Sequence, residues 1–376
     1  MGLLVVGRMA HAADVKIFVP ANPPEMARLT NTHSPAFAAA KLFLHGVNLG
    51  NYLEAPRGQS WGVTCDAGEF AQMRAEGFDH VRVPVGWQHY AGSAPEYKLS
   101  SEIFARVDFV VTNALAAGLA VMVNVHHFNE FTDAPTNQTE KFVAIWRQVA
   151  AHYAGFTNAL AFELLNEPVK AATTAVMNPI YARMILEIRK TNPQRTIFVG
   201  PGKWNSIDEL KNFVLPPDDN VIVTVHCYEP FYFTHQGATW AGDDTKVTGI
   251  RFPGPPALPL VPDAVLKLNP WVTNWIRAYN TQPPEKNPCA PRVIAEKLKF
   301  ARAWSDFYGR PIHIGEFGCL AKIEAESRGN FLAAFRRAAD EEKLGWCVWD
   351  WSAAFRYWDK KKSEPLPQVR AALFGN

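Results

Sequence analysis

Two glutamates follow short apolar segments of the chain. Glu167 comes directly after Leu164-Leu165-Asn166, and Glu316 comes directly after Ile314-Gly315. If both apolar segments are parallel strands, their carboxyl ends bring the two side chains to the same face of a sheet or barrel. Two carboxyl groups roughly 5–5.5 Å apart can cleave a glycosidic bond with retention, one as nucleophile and the other as acid and base. The positions of Glu167 and Glu316 at the ends of predicted strands are compatible with that spacing.

The segments that must position these glutamates alternate between short apolar runs and longer amphipathic stretches. This alternation is typical of repeated β-α units and a parallel sheet. The predicted strands are 42–47, 80–85, 120–125, 159–165, 195–200, 220–226, 311–315 and 345–351. A doubly wound open sheet has the same alternation, but eight nearly regular units favour closure into a (β/α)₈ barrel.

The predicted catalytic unit is a single domain over residues 41–376, with a long Pro-rich insertion at about 229–292 after strand six. We expect this insertion to lie on the active-site face, to contain a short helix around 270–280 and to narrow one end of the cleft. Residues 1–40 are predicted to form a leader or an arm that wraps the barrel bottom. Leu3–Val6 and Ala10–Ala13 fit either a remnant of a signal peptide or a disordered leader.

Composition restricts the classes of partner. Lys plus Arg number 38 and Asp plus Glu number 36, so a net charge of +2 argues against nucleic acid as the main partner. No apolar run reaches the ~18 residues of a transmembrane helix, and no membrane partner is expected. The five cysteines contain no C-x-x-C pair, which argues against a zinc ribbon. A Cys65–Cys289 disulfide is left open.

The motifs around the two glutamates are similar to those of glycoside hydrolase family 5, the retaining barrel hydrolases that include many endo-β-1,4-glucanases and β-mannanases. The sequence contains Asn-Glu-Pro at 166–168 and Gly-Glu-Phe-Gly at 315–318. The resemblance implies that Glu167 is the acid/base and Glu316 the nucleophile. It extends to other strand ends, covers about residues 41–375, and implies active-site roles for Arg82, His126, His127, His226, Tyr228 and Trp349.

Physical arguments assign a role to most of these side chains. Arg82 is expected to lower the pKa of Glu316 by opposite charge, and Tyr228 to donate a hydrogen bond to the same carboxylate. Glu167 needs a raised pKa, which the charge of ionised Glu316 would supply. His226 is a candidate partner of Glu167.

The substrate is expected to contact a further set of side chains. Asn166 is placed to bond the sugar 2-OH, and Trp349 to form the floor under the sugar at subsite −1. For Arg82, an ordinary buried ion pair is the alternative. His126 and His127 are alternatively packing residues that touch no substrate.

Two further segments resemble the endoglucanase branch of the family, which includes broad-specificity glucanase–mannanases. They are Gly46–Pro56 after strand one and Phe233–Trp240 after strand six. The resemblance implies substrate contacts by Asn51, Glu54, Trp204, His235 and Trp240, with loop packing as the alternative for Trp204. Two departures are the long stretch at 252–292 and Asp350, which stands where many relatives have Glu and would alter contacts at the minus subsites.

The sequence therefore favours a retaining endo-β-1,4-glucanase that acts on a polysaccharide without cofactor or metal. The alternatives are a β-mannanase or mixed glucan–mannan hydrolase, and a catalytically silent sugar-binding barrel. A binder has no need for a paired acid and nucleophile, which argues against the last. Metal catalysis is disfavoured because strand one offers only His45 instead of a His-x-His pair. A monomer that is secreted or periplasmic is expected from the substrate.

Overall fold

The computed structural model describes Met26, Arg28, Leu29 and residues 34–375. Its centre is a closed barrel of eight parallel strands, each paired with the next in sequence, with the last paired to the first. These strands are β1 His45–Asn48, β2 His80–Val83, β3 Ala120–Asn124, β4 Leu160–Glu163, β5 Ile197–Val199, β6 Val221–His226, β7 Ile312–Phe317 and β8 Gly345–Val348. The predicted (β/α)₈ barrel is confirmed.

The helices surround the barrel. They are α1 Pro35–Ala40, α2 Ala67–Ala75, α3 Ser101–Ala116, α4 Asn129–Asp133, α5 Pro135–His152, α6 Thr174–Arg189, α7 Gly202–Asn205, α8 Phe231–Thr234, α9 Pro270–Thr281, α10 Pro291–Tyr308, α11 Ala325–Glu341 and α12 Pro367–Phe374. A two-stranded antiparallel ribbon, β9 Trp358–Asp359 and β10 Glu364–Pro365, follows β8. No described helix is long and apolar enough to cross a membrane.

Local sequence explains where the helices begin and which face they bury. The Asp66 side chain accepts a hydrogen bond from the first turn of α2, and Glu69 bonds back to the Asp66 backbone, which forms a capping box. In α5, Phe142, Ile145 and Val149 recur at helical spacing and are all buried against the barrel. Gly118 follows α3 with φ of +79°, a conformation that glycine adopts without steric cost.

The bottom of the barrel, at the N-terminal ends of the strands, is closed by α1. Ala36 of this helix belongs to a small apolar cluster with Phe43, Met122, Phe198 and Ile222. Helix α1 lies within the segment predicted as a leader, and its backbone is bonded to the barrel through Ala36 N and Asp219 O at 3.1 Å. The remainder of the predicted leader, with its signal-like motif, lies mostly outside the described residues.

The insertion, residues 229–292, has regular structure of its own. It contains α8 and α9, and α9 covers the stretch where the sequence predicts a helix. The Gly254 N–H donates to the Cys289 carbonyl at 2.8 Å, which ties the two sides of the Pro-rich stretch together. All five cysteines are free thiols, so the Cys65–Cys289 bridge is not formed, and Cys289 instead lies buried against the Arg251 carbonyl.

Candidate active site

Arg82 of β2 is the centre of a buried hydrogen-bond network at the C-terminal end of the barrel. Its Nε and Nη2 atoms donate to both oxygens of Glu163 at 2.6 and 2.8 Å. Its Nη1 donates to Glu316 at 2.7 Å and to Asn48 at 2.8 Å, and Nη2 also donates to Asn166 at 2.7 Å. Since guanidinium is planar with fixed donor directions, this network holds β1, β2, β4 and β7 in one arrangement.

Glu316 receives hydrogen bonds on both carboxylate oxygens. Arg82 binds Oε1, and the Tyr228 hydroxyl donates to Oε2 at 2.8 Å, as predicted from the sequence. Burial raises the pKa of Glu316 and outweighs the lowering by His226, Arg82 and the Tyr228 hydrogen bond. Arg82 therefore acts in the predicted direction, but the net shift in the pKa is upward because desolvation penalises the charged form.

Glu167 lies just beyond β4, where the backbone has φ of +48°. A non-glycine residue in this left-handed region costs roughly 1 kcal/mol or more, and such strain is found where a functional side chain must be directed into a site. Burial raises the pKa of Glu167 to about 7, with a further upward contribution from the charge of Glu163. The sequence predicted the raised pKa but attributed it to Glu316. That attribution was wrong, because desolvation is the larger cause.

His226, at the end of β6, holds Glu167 in place. Its Nδ1 lies 2.8 Å from Glu167 Oε1, and burial lowers the pKa of the imidazole to about 4, so His226 is neutral at neutral pH. As the amide is oriented, Asn205 Nδ2 donates to His226 Nε2 at 3.3 Å. That contact leaves the single imidazole proton on Nδ1, from which it is donated to the Glu167 carboxylate.

The two glutamates face each other across a short gap. One oxygen of each carboxyl group and a ring nitrogen of His226 all lie within 4.8 Å of one another. Inverting glycosidases separate their carboxyl groups by about 6.5–9.5 Å to admit a water molecule, whereas retaining enzymes hold them about 5–5.5 Å apart. The distance in this site matches the arrangement for direct attack by one carboxylate.

A cleft of about 530 Å³ opens above the two carboxyl groups. Trp349, at the end of β8, lies parallel to His126 with ring centroids 5.8 Å apart. The predicted residues that line the cleft are Asn51, His126, His127, Glu167, Tyr228, His235, Trp240, Glu316 and Trp349. Large aromatic faces and a few polar groups around a concave site are typical of pockets that bind sugars and other small ligands.

Two predicted substrate contacts, Glu54 and Trp204, and one expected effect on the minus subsites, that of Asp350, differ in the structure. Glu54 is 1% exposed and does not line the cleft, because its carboxyl group lies underneath His126, 3.5 Å from the ring Nε2. Trp204 is 59% exposed and is bound through its backbone to the Pro168 carbonyl, beside the cleft but outside its lining. Asp350 is fully buried and accepts hydrogen bonds from the backbone of the loop that carries Phe355, so it faces no sugar subsite.

Several residues of the site were not predicted from the sequence. Trp61, Ala354 and Phe355 line the cleft, Trp61 from the long loop after β1 and the other two from the segment shortly after the predicted eighth strand. Glu163 and Asn205 support Arg82 and His226 from beneath. For Glu163 a signal existed, because a charged residue in the apolar run 159–165 needs a buried partner.

Two groups of side chains have the composition of metal ligands. One is the group Glu167, His226 and Glu316, and the other is Glu54, His126 and His127. In the second group, Asn124 Nδ2 lies 3.2 Å from His126 Nδ1 and donates to it. The imidazole proton is therefore on Nε2, which faces Glu54 at 3.5 Å, and a protonated ring nitrogen has no lone pair to offer a metal ion.

Comparison with known proteins places this geometry in a family. The model of the family described as "Cellulase (glycosyl hydrolase family 5)" matches residues 44–355. The chain belongs to glycoside hydrolase family 5. The predicted family is thereby confirmed, and the matched range includes both glutamates and all eight strands.

Relatives and solved structures within family 5 include several endoglucanases. Endoglucanase H of Acetivibrio thermocellus is 29% identical over 306 residues, 81% of this chain and 29% of that protein. Endoglucanase 3 of Fibrobacter succinogenes is 28% identical over 347 residues, 88% of this chain and 52% of that protein. The chain thus spans about half or less of these two relatives. Structures of Thermotoga maritima Cel5A with cellobiose and with mannotriose are 31% identical, cover 90% of this chain and 100% of their own, and have TM-scores of 0.79.

Proposed function

We propose that this protein is a retaining endo-β-1,4-glucanase that hydrolyses β-glucan chains by double displacement. The observation that carries the proposal is the pair of opposed carboxyl groups, within 4.8 Å of each other at the mouth of a family 5 barrel. Relatives that are named endoglucanases support the glucan part of the proposal.

The first step forms a glycosyl-enzyme ester. Glu316 attacks the anomeric carbon, while Glu167, protonated below its pKa of about 7, gives its proton to the leaving glycosidic oxygen. Arg82 and Tyr228 hold the two Glu316 oxygens, so the attacking carboxylate does not have to reorient during the reaction. Arg82 binds the carbonyl oxygen of Asn166 at 2.7 Å and fixes this side chain beside Glu167, and we expect its amide nitrogen to bond the sugar 2-OH.

The second step releases the sugar. Once Glu316 is esterified its negative charge is gone, so a carboxylate on Glu167 is no longer opposed by a second charge. Glu167 then accepts a proton from a water molecule that attacks the anomeric carbon on the face vacated by the leaving group. The Nδ1 proton of His226 stabilises the Glu167 carboxylate in this step. Two inversions at one carbon give overall retention.

A glucan–mannan hydrolase is the second candidate. It is favoured by the likeness to Thermotoga maritima Cel5A, which has been solved with both cellobiose and mannotriose. Glucose and mannose differ only in the orientation of the 2-OH. Asn166 is the candidate group for a hydrogen bond that distinguishes the two orientations.

A substrate panel tests both candidates. Carboxymethylcellulose, barley β-glucan, glucomannan and pure mannan should be incubated with the wild type and with Glu316→Gln, and reducing ends, product lengths and anomeric configuration followed over time. We expect a range of oligosaccharides with the β-configuration from the glucans. Activity on mannan alone would refute the glucanase proposal, and an α-configured first product would refute the retaining mechanism.

The proposal includes a location and an assembly state. β-Glucan polymers lie outside the cells that degrade them, so we place the protein in the periplasm or outside the cell as a monomer. The hydrogen-bond network around Arg82, Glu167, His226 and Glu316 is complete within one chain, which supports the proposal of a monomer. Cell fractionation and light scattering of the purified protein test the two statements.

A further inference from the structure

Exposed aromatic rings continue from the cleft onto the insertion. His235 lines the cleft, and the Phe231 ring stacks on it with centroids 4.4 Å apart and an interplanar angle of 23°. Phe231 is 43% exposed. Tyr232 is next along α8, with its ring 5.9 Å from that of Phe231. The first part of the surface is therefore contiguous with the cleft.

Helix α9 supplies the outer part. Trp271, in its first turn, is 61% exposed, and its side chain lies close enough to the Tyr232 hydroxyl to oppose the rise that burial causes in the Tyr232 pKa. One turn later, Trp275 contacts the edge of Tyr232 at 5.3 Å and stacks on Tyr279 at 5.5 Å. We refer to His235, Phe231, Tyr232, Trp271 and Trp275 as the aromatic track.

The frame under the aromatic track is fixed by polar contacts. Asn269, which precedes α9, donates its backbone N–H to Asp244 at 2.9 Å, and its side-chain amide binds the other oxygen of the same carboxylate. At the far end of α9, Asn280 exchanges two hydrogen bonds of 2.9 Å with the backbone of Leu260. The exposed rings therefore have defined positions before any ligand arrives, which reduces the entropy lost on binding.

Phe231 and Trp271 are exposed, and the half-buried rings of Tyr232 and Trp275 lie beside them on a fixed frame. A contiguous aromatic surface of this kind marks an interaction site more often than isolated exposed apolar side chains do. The C–H faces of a β-linked glucan match flat aromatic faces, and the sugar hydroxyls match a phenol and an indole N–H. Aliphatic residues of the same insertion, Leu258, Val261 and Val265, are even more exposed, and they would suit a protein partner. Continuity with the cleft favours the glucan.

We infer that the aromatic track is an additional binding surface for a β-glucan chain that extends out of the cleft, with Phe231 and Trp271 as stacking platforms. The inference rests on the proposed function and adds to it a preference for polymers over short oligosaccharides. A glucan chain that is bound in the cleft and on the aromatic track at the same time has a higher overall affinity, because binding at one site raises its effective concentration at the other. This gain requires no change at the catalytic glutamates.

The test compares Trp271→Ala and Trp271→Phe with two controls of exposed apolar side chains. Leu186→Ala alters a residue of α6 that is 70% exposed, and Leu258→Ala alters the insertion outside the track. KM and kcat should be measured on barley β-glucan and on an aryl β-cellobioside. Binding to β-glucan should be measured by affinity electrophoresis in a Glu316→Gln background, which does not depend on turnover.

We expect Trp271→Ala to raise KM on the polymer by about three- to tenfold, the scale of one lost aromatic stacking contact. Kinetics on the aryl cellobioside should match those of Leu186→Ala, and Trp271→Phe should recover most of the polymer affinity. Equal behaviour of Trp271→Ala and Leu186→Ala in the electrophoresis would overturn the inference. So would an equal loss in Leu258→Ala, which would indicate a general apolar surface. Lack of glucan hydrolysis by the wild type refutes the proposed function instead.

Discussion

The two ends of the barrel interior bury polar groups in opposite ways. At the mouth, Arg82, Glu163 and Glu316 are almost completely buried and bind one another through hydrogen bonds of 2.6–2.8 Å. At the bottom, His313 of β7 is 2% exposed, and neither ring nitrogen has a hydrogen-bond partner among the described residues. Strand β7 thus carries a hydrogen-bonded carboxyl group, Glu316, at one end and an imidazole ring without hydrogen bonds, His313, at the other.

This contrast shows what sets the charge of a buried group. Burial lowers the pKa of His313 well below its usual range, and the positive charge of Arg82 acts in the same direction, so His313 stays neutral. At the mouth the Arg82 guanidinium remains charged, because Glu163 and Glu316 offset the cost of desolvation and raise its pKa. The mouth therefore keeps an ionised arginine among carboxyl groups, whereas the bottom end keeps its buried histidine neutral.

Removal of the nucleophile gives the largest expected effect at the mouth. Glu316→Gln retains the shape and the hydrogen bond from Arg82 but cannot form the glycosyl ester. We expect kcat on β-glucan to fall by roughly 10⁴-fold or more, because residues that act as a unit lose nearly all catalysis when one is removed. Steady-state release of reducing ends from β-glucan provides the check. Retention of more than a few per cent of wild-type turnover would contradict the assignment.

Arg82→Met tests whether the network at the mouth also supports the fold. The substitution leaves Glu163 and Glu316 buried without their cation, and we expect a loss of about 3–5 kcal/mol in unfolding free energy, together with loss of activity. Arg147→Met, which removes an exposed ion pair with Glu187, is the matched control and should cost below about 1 kcal/mol. Urea unfolding followed by fluorescence measures both variants. If both substitutions lowered the free energy of unfolding by the same amount, the buried ion pairs of Arg82 would contribute no more to stability than the exposed ion pair of Arg147.

Glu167 links the activity and the stability of the mouth through its protonation. Its pKa is raised to about 7 in the folded protein, compared with an ordinary value of 4.5. At low pH this residue is protonated in both states and costs the folded protein nothing. As pH rises toward 7 the unfolded chain releases the proton more easily, so the folded protein loses stability. Glu167→Gln removes this loss, and we expect it to be up to roughly 3 kcal/mol more stable than the wild type at pH 8 but not at pH 4. Melting temperatures across that range give the comparison.

The same ionisation sets the alkaline limit of catalysis. Wild-type kcat/KM should decline through about pH 7, where Glu167 loses the proton that it must donate. An aryl glycoside whose leaving group needs no protonation should show a weaker decline in its first step. A pH profile with no inflection between about pH 6 and 8 would show that Glu167 is not the acid.

His313→Leu examines the bottom of the barrel, and a gain in stability is expected. Leucine has no polar atoms to desolvate. We therefore expect the substitution to increase the free energy of unfolding by about 1–2 kcal/mol at pH 5 and by less at pH 8. The sign follows from the lowered pKa of His313 in the folded protein. Below about pH 6.5, the usual pKa of histidine, the unfolded chain binds a proton at this residue and the folded protein does not. The wild type therefore loses stability as pH falls below that value. Kinetics on β-glucan should be unchanged. Reduced activity would mean that the two ends of β7 are coupled.

Trp61→Ala gives the smallest expected effect. Trp61 is 45% exposed on the cleft wall, and we expect a two- to fivefold rise in KM on β-glucan, the scale of a weak aromatic contact, with little change in kcat. Leu258→Ala serves as the control for loss of an exposed apolar side chain. An unchanged KM would place Trp61 outside the path of the substrate.

The sequence by itself determined the barrel and the chemical identities at its mouth. Apolar runs such as 120–125 between amphipathic segments predict buried parallel strands. The residues that follow such runs, Glu167 and Glu316 among others, are then expected to meet at one end, because parallel strands share a direction. Local signals sufficed for these elements, including the cap of α2 by Asp66 and the helix at Pro270–Thr281.

Only the tertiary structure decided how each group is buried and what it contacts. Glu54 and Trp61 are both loop residues near the first units, yet Glu54 is sealed under His126 and Trp61 faces the cleft. The cause of the raised pKa of Glu167, the tautomer of His226 set by Asn205, and the aromatic track that extends the cleft depend on neighbours distant in sequence. Desolvation and hydrogen-bond direction are properties of three-dimensional packing, and no local pattern of residue types encodes them.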